Sequence, residues 1–292
     1  MPTENNKTVS LVLGSGGARG LAHIGVIHCL EENNFNIQSI SGCSMGALIG
    51  GIYAAGKLDD FEQWVRAITK VDIVTLLDLA WDKSGLVKGD KIIETLVELV
   101  GDQHIEDLPI PFTAVAADVT SEKEVWINSG RLFDAIRASI SLPLFFTPFN
   151  HKGVNLIDGG VLNPVPIAPA FSDDADMIIA VNLGGALVSK KVQHTKPVAP
   201  LKVAPSLHEK ISRYIGRLHE TMIKEGPIDW SVVEIADQAF DAMQSTIARQ
   251  KLAAYPPDRT IEIARNACGT LEFDRADEMI ALGYDSARKI MS

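Results

Sequence analysis

"SISGCSMGALIGG", residues 39 to 51, sets a serine between glycines two positions away on either side, where an apolar strand pattern gives way to a helical one of small residues. A G-x-S-x-G turn from strand to helix lifts a serine hydroxyl out of a sheet and onto a helix N-terminus, where it can act as a nucleophile. Here the hydroxyl is that of Ser44 and the elbow glycines are Gly42 and Gly46. With 23 glycines in the chain, the same pattern also arises by chance as a tight turn that contains serine, so its surroundings decide its meaning. Cys43, next in line, is a second candidate nucleophile.

Upstream, "VSLVL" (9 to 13) is a short apolar run stopped by "GSGG", after which Leu21, Ile24, Ile27 and Leu30 recur at helical spacing. A second apolar strand, Ile37 to Ser41, runs into the Ser44 turn, and "ALIGGIYAAG" continues as a helix suited to close packing on a sheet. Strand, helix, strand in this order predicts two parallel strands joined by a right-handed crossover. "FTAVAAD" (112 to 118), "VNLID" (154 to 158) and "MIIAVNL" (177 to 183) add strands, the last reading as fully buried. Helical patterns cover about 90 to 100, 207 to 223 and 230 to 253. Residues 187 to 206 carry three prolines and clustered lysines and read as a flexible loop.

"GSGGARG" (14 to 20) follows a strand and opens a helix, which is where a dinucleotide fingerprint or a P-loop would sit. Its register fits neither. Counting G-x-G-x-x-G from Gly14 puts Arg19 in the last glycine slot, counting back from Gly20 puts Ser15 in the first, and no G-K-[ST] follows. The second strand ends in Ser41 and Gly42, where a Rossmann site wants an acidic residue for the ribose. No cofactor is therefore expected. What remains is a glycine turn at a helix N-terminus, which aims backbone N–H groups and the positive end of the helix dipole at one point. In a βαβ unit this loop and the Ser44 turn emerge side by side at the strands' carboxyl ends, so amides at Gly16 and Gly17 would serve as an oxyanion hole for acyl transfer. Arg19 would steady the loop, meet a substrate anion, or form an ordinary surface ion pair.

No histidine after Ser44, whether His104, His151, His194, His208 or His219, closes an apolar strand as an α/β-hydrolase base would. Asp158 does end a buried-looking strand, and two glycines after it allow a tight turn, although most D-G-G triplets are plain turn caps.

The chain of 292 residues is 46% hydrophobic, enough for a sizeable core. Its formal charge of −10, with no basic run to override it, argues against a nucleic-acid partner. Cys29, Cys43 and Cys268 are odd in number and widely spaced, which fits reduced thiols and a cytoplasmic setting. The start, MPTENNKT, has no signal-peptide character, and no apolar stretch reaches the roughly 18 residues that span a bilayer. No cluster of His, Cys or carboxylates has ligand spacing, so no metal is expected.

Gly16-Gly17-Ala18-Arg19-Gly20, Gly42-Cys43-Ser44-Met45-Gly46 and Asp158-Gly159-Gly160, in this order, resemble the three signature elements of the patatin-like phospholipase family. "SGLVKGDKI" (84 to 92), "RASISLPLFFTPF" (137 to 149), "DGGVLNPVPI" (158 to 167) and "LEFDRADEMIALGYDSARK" also resemble family segments, with the weakest match from about 187 to 230. Ser15 departs from the family, many members of which have glycine there. The resemblance implies a three-layer α/β/α fold with a mostly parallel central sheet. It also implies a Ser44–Asp158 dyad without histidine and an oxyanion loop of Gly16, Gly17, Arg19 and Gly20. Asn163 and the prolines after it would shape the strand exit beside the dyad.

One domain over residues 1 to 292 is expected, with a catalytic core at about 8–185 and a helical part at about 207–292 packed on it. The expected activity is serine hydrolysis of a lipid or acyl ester, with transient contact to a membrane surface. An idle scaffold or regulator that keeps the fold is the rival reading. Leu142, Leu144, Phe145, Phe146 and Phe149 are candidates for an acyl pocket, a lipid-facing surface or plain core.

Overall fold

The computed structural model describes residues 7–69, 71–73, 89–143, 145–188 and 230–291. The helix expected at 207 to 223, nearly all of the 187 to 206 loop, and Leu144 lie outside them, as does part of "SGLVKGDKI". Eight strands form one sheet: β1 (Thr8–Leu13), β2 (Asn36–Cys43), β3 (Phe112–Asp118), β4 (Lys123–Ile127), β5 (Phe149–His151), β6 (Val154–Asp158), β7 (Met177–Gly185) and β8 (Arg259–Ala264). The run β3-β2-β1-β7-β8 is parallel throughout. The β4, β5 and β6 pairings are antiparallel, so the sheet is mixed around a parallel centre.

Period-two alternation sorts the strand residues into two layers of core. Leu11, Leu13, Ile179 and Val181 face a large cluster with α1 (Ala22–Glu32), α2 (Met45–Ala54) and α7 (Ala276–Met291). Val12 and Ala180, one residue along, face a smaller cluster with Val165, Ile167 and Ala248 of α6 (Trp230–Ala254). Helices on both faces give the three layers. Three more helices are α3 (Leu58–Ala67), α4 (Asp90–Val100) and α5 (Leu132–Ser139).

Two features differ from the sequence expectation. The C-terminal part is not wholly helical, because Arg259–Ala264 joins the sheet beside β7; its buried Ile261 and Ile263 alternate with polar neighbours, a short strand signal. The second concerns how Asp158 reaches the active edge. β3 pairs with β2 up to Cys43↔Val115, and with β6 from Asp158↔Ala116 onward. Because β4 occupies the other edge of these same residues, β6 continues the edge that β2 vacates, running the opposite way. The carboxyl ends of β2 and β6 therefore meet head-on, one register step apart. In the order β2-β1-β7 the chain switches sides at β1, so the loop after β1 opens at the crevice where open α/β sheets bind ligands.

Candidate active site

Ser44 caps α2 with φ 55° and ψ −123°, a left-handed backbone that costs a non-glycine residue about 1–3 kcal/mol. Neighbouring contacts hold it there. Its N–H donates to Ser139 Oγ at 2.8 Å, and the Ser139 hydroxyl donates to the Val115 carbonyl at 2.7 Å. A Cβ on Gly46 would stand 2.0 Å from the Leu13 carbonyl oxygen, and one on Gly42 would stand 2.4 Å from that of Gly46. The elbow glycines thus let α2 start hard against the end of β1.

The dyad candidates come together from strands 115 residues apart in sequence at their Cys43 and Asp158 ends, where Cys43 Sγ lies 4.0 Å from Asp158 Oδ1. Asp158 is 1% exposed. Its Oδ1 accepts the Gly160 N–H at 2.7 Å, and its own N–H donates to the Ser141 carbonyl at 2.9 Å. Burial pushes the carboxyl up to about 6, against the opposing pull of the Ser44 hydroxyl and the Gly160 N–H. The hydroxyl is thus near enough to act on the carboxylate, yet Oδ2 is buried without a hydrogen bond of normal geometry among the described residues. Free enzymes commonly hold such catalytic contacts long and tighten them only around substrate. The two glycines after Asp158 have ordinary φ, so the tight turn is not their reason. A Cβ on Gly159 would meet the Val115 carbonyl oxygen at 2.2 Å, and one on Gly160 would meet Gln244 Nε2 at 2.1 Å.

In the glycine loop the N–H groups of Gly14, Ser15 and Ala18 are committed to the carbonyls of Val181, Pro164 and Thr270 at 3.1, 2.8 and 2.8 Å. Those of Gly16 and Gly17 bond to nothing among the described residues, which leaves them available to an oxyanion. Gly17 needs glycine: its φ is +56°, and a Cβ would lie 2.6 Å from the Thr270 carbonyl oxygen. At Gly20 a Cβ would overlap the Cβ of Met45 at 2.3 Å, so this glycine brings the loop's 3₁₀ turn (Gly17–Leu21) onto the elbow.

Arg19 is neither on the surface nor turned to the substrate side. Its side chain is 4% exposed; Nη1 and Nη2 clasp the Asp241 carboxylate at 2.9 and 2.5 Å, and Nη1 also donates to the Arg265 carbonyl at 2.6 Å. The surface ion-pair reading is corrected by this burial. His23, fully buried, donates Nε2–H to the Gly14 carbonyl at 2.9 Å, and desolvation lowers it to about 4, so it is a neutral prop for the loop. His28 pairs with Glu62, and His104 lies by Glu106, while His194 and His208 fall outside the described residues together with His219. Cys43 is fully buried and its thiol is pushed well above the usual range by desolvation and by Asp158, which removes it as a nucleophile at neutral pH.

The prolines behind the dyad act through their carbonyls: Pro164 receives the Ser15 N–H, and Pro166 the Ser41 hydroxyl at 2.7 Å. Asn163 donates to Glu124 at 2.8 Å, and Glu124 also holds Lys251 of α6.

From Ser44 and Gly17 an apolar pocket of about 850 Å³, open mouth included, runs between α3 and α4. Phe61, Trp64, Ile92, Leu96, Leu142 and Phe146 are among its walls. Of the expected apolar cluster, Leu142 and Phe146 thus reach the pocket, whereas Phe149 packs against the main core with Arg137 over its ring. The contributions of α3 and α4, and those of Ser139, Asp241 and Thr270, escaped sequence reasoning, since each joins the site only through tertiary packing. No group of three or more metal-ligating side chains occurs among the described residues, and no described helix is long and apolar enough to cross a membrane.

Comparison with known proteins bears on this arrangement. The family profile described as patatin-like phospholipase matches residues 11–171. An uncharacterized NTE family protein of Mycobacterium tuberculosis is 37% identical over 94% of this chain and 89% of its own. Lysophospholipase NTE1 of Coccidioides immitis is 33% identical over 98% of this chain, which corresponds to 18% of that longer protein. The human patatin-like phospholipase domain-containing protein 6 is 33% identical over 61% of this chain and 13% of its own.

Proposed function

The chain belongs to the patatin-like phospholipase family of lipid hydrolases, and on that premise we propose that it is a serine acyl hydrolase working through Ser44 and Asp158. The observation that carries this reading is the convergence at one sheet edge of a strained serine, a buried carboxylate and two uncommitted amides, with Ser44 and Gly17 lining an apolar pocket. In this mechanism Asp158 Oδ2 takes the proton of Ser44 Oγ as it attacks the ester carbonyl. The N–H groups of Gly16 and Gly17 receive the oxyanion, and Asp158 returns the proton to the leaving alkoxide. Water, activated by the same carboxylate, then releases the acyl group from Ser44.

A carboxylate of ordinary pKa is a poor base for serine; desolvation to about 6 brings Asp158 closer to the task while leaving it ionised at neutral pH. The pocket is apolar, as an acyl chain requires, and the lysophospholipase name of the fungal relative fits a single-chain phospholipid as substrate. A fluorophosphonate probe tests the reading. The wild-type chain should be labelled at Ser44, and Ser44→Ala and Asp158→Asn should not react. An unlabelled wild-type chain, correctly folded by circular dichroism, would instead support the idle-scaffold reading.

A further inference from the structure

Part of what holds the glycine loop lies outside the span of the family profile, which ends at residue 171. Three contacts from that part act on the loop's Ala18 and Arg19. The Arg19 guanidinium is clasped on two nitrogens by Asp241 of α6, Arg265 caps the same guanidinium with its carbonyl, and Thr270 takes the Ala18 N–H. Arg19 and Ala18 lie directly after the two uncommitted amides, so whatever fixes them fixes the direction in which Gly16 and Gly17 point. Two further loop atoms, Ser15 Oγ and Arg19 Nε, are buried without partners among the described residues. They line one small polar cavity against Asp241, Gln244 and Ser245, with about 10 Å³ for a water centre, the size of one water site.

We propose that Asp241 is a positioning residue of the oxyanion hole: its carboxylate, by clasping the buried Arg19, aims the Gly16 and Gly17 amides at the carbonyl bound to Ser44. The inference rests on the serine-hydrolase reading above. Its physical core is that one charge, 4% exposed, has one carboxylate for a counter-ion among the described residues, and that a bidentate clasp fixes orientation as well as position. Asp241 never touches substrate. It acts on the transition state, where amide direction matters, and little on ground-state binding in the apolar pocket, whose walls do not include it.

The test compares wild type, Asp241→Asn, and the double variant Arg19→Met/Asp241→Leu, which removes both charges so that no unpaired ion stays buried. Rates on a short chromogenic ester are taken per folded molecule, from the circular dichroism signal at the assay temperature. A trifluoromethyl ketone serves as the second probe, because Ser44 adds to its carbonyl carbon and the resulting oxyanion occupies the hole. Both variants should lose about 10- to 100-fold in kcat with KM within about threefold of wild type. Ketone affinity should fall by the same factor as kcat/KM.

Recovery of kcat in the double variant together with its melting temperature would make the clasp a purely structural bond and overturn the proposal. An unchanged kcat in Asp241→Asn, or a loss confined to KM, would do the same. Failure of the wild type to react with a fluorophosphonate would sink the underlying serine-hydrolase reading instead, so the two failures are told apart.

Discussion

Replacing Asp158 by Asn should abolish hydrolysis and at the same time stabilise the folded protein, most strongly at alkaline pH. The reasoning starts from burial: the carboxyl is 1% exposed and is pushed from the usual value near 3.8 to about 6, chiefly by desolvation. That gap corresponds to about 3 kcal/mol by which the folded state disfavours the ionised form. Because the folded pKa is the higher one, the folded chain binds the proton more tightly than the unfolded chain does. The cost is absent below about pH 4, grows as pH rises through the window from about 4 to 6, and is complete above it. Asn carries no charge and retains an oxygen for the Gly160 N–H, so Asp158→Asn removes the cost. The variant should therefore be more stable by about 3 kcal/mol at pH 8 and by about 1.5 kcal/mol at pH 5.

Guanidinium unfolding of both proteins at the two pH values measures this difference. His23 titrates with the opposite sign: its folded value near 4 is depressed, so acid favours the unfolded chain from about pH 6.5 downward. That effect is common to both proteins and cancels in the comparison. The wild-type kcat/KM should fall on the acid side with a midpoint near 6, as the base becomes protonated. A variant equal to or weaker than wild type at pH 8, or an acid limb near 4, would refute the desolvated-base argument.

Other substitutions probe the neighbouring parts. Gly46→Ala places a methyl 2.0 Å from the Leu13 carbonyl and should cost about 1–3 kcal/mol in chemical denaturation, with kcat falling further as the elbow shifts. Phe146→Ala, on the pocket wall, should move the preferred acyl chain length in a series of p-nitrophenyl esters; equal losses on every ester with a large drop in Tm would place Phe146 in the core instead. Excess chelator should leave hydrolysis unchanged, and activity restored only by added calcium would contradict this.

The proposed site was legible in the sequence because it sits on motifs whose local geometry follows from residue type. A serine flanked by glycines at a strand-to-helix turn can be read without a partner, and so can a glycine turn that opens a helix. Asp158 was legible by residue but not by route: its strand was read as one more strand ending at the active edge, whereas β6 runs antiparallel and meets β2 end to end. The reason for the two glycines after it was likewise hidden, since a close approach to Val115 and Gln244 exists only after folding. Arg19 shows the limit most clearly. Its charge suggested solvent or substrate, and nothing in the spacing of α6 announced that Asp241, 222 residues away, would bury it.

The proposed mechanism, a hydrolase working without a catalytic histidine, places unusual demands on the rest of the fold. The base must be desolvated to become useful, the serine must sit in a disfavoured backbone conformation to be reachable, and the oxyanion amides must stay unbonded in the resting state. Each of these is unfavourable on its own, so each must be held by contacts outside the chemistry. Ser139 does this for the elbow, and the Pro164 and Pro166 carbonyls for the ends of β1 and β2. His23, Asp241 and Thr270 do it for the glycine loop. Two of these supports lie beyond residue 171, so under the proposed mechanism the signature motifs carry the reacting groups while the C-terminal third carries part of their alignment. A relative that keeps all three motifs but replaces the Arg19–Asp241 clasp should therefore be tested for activity before it is assigned any, because the motifs alone do not aim the amides.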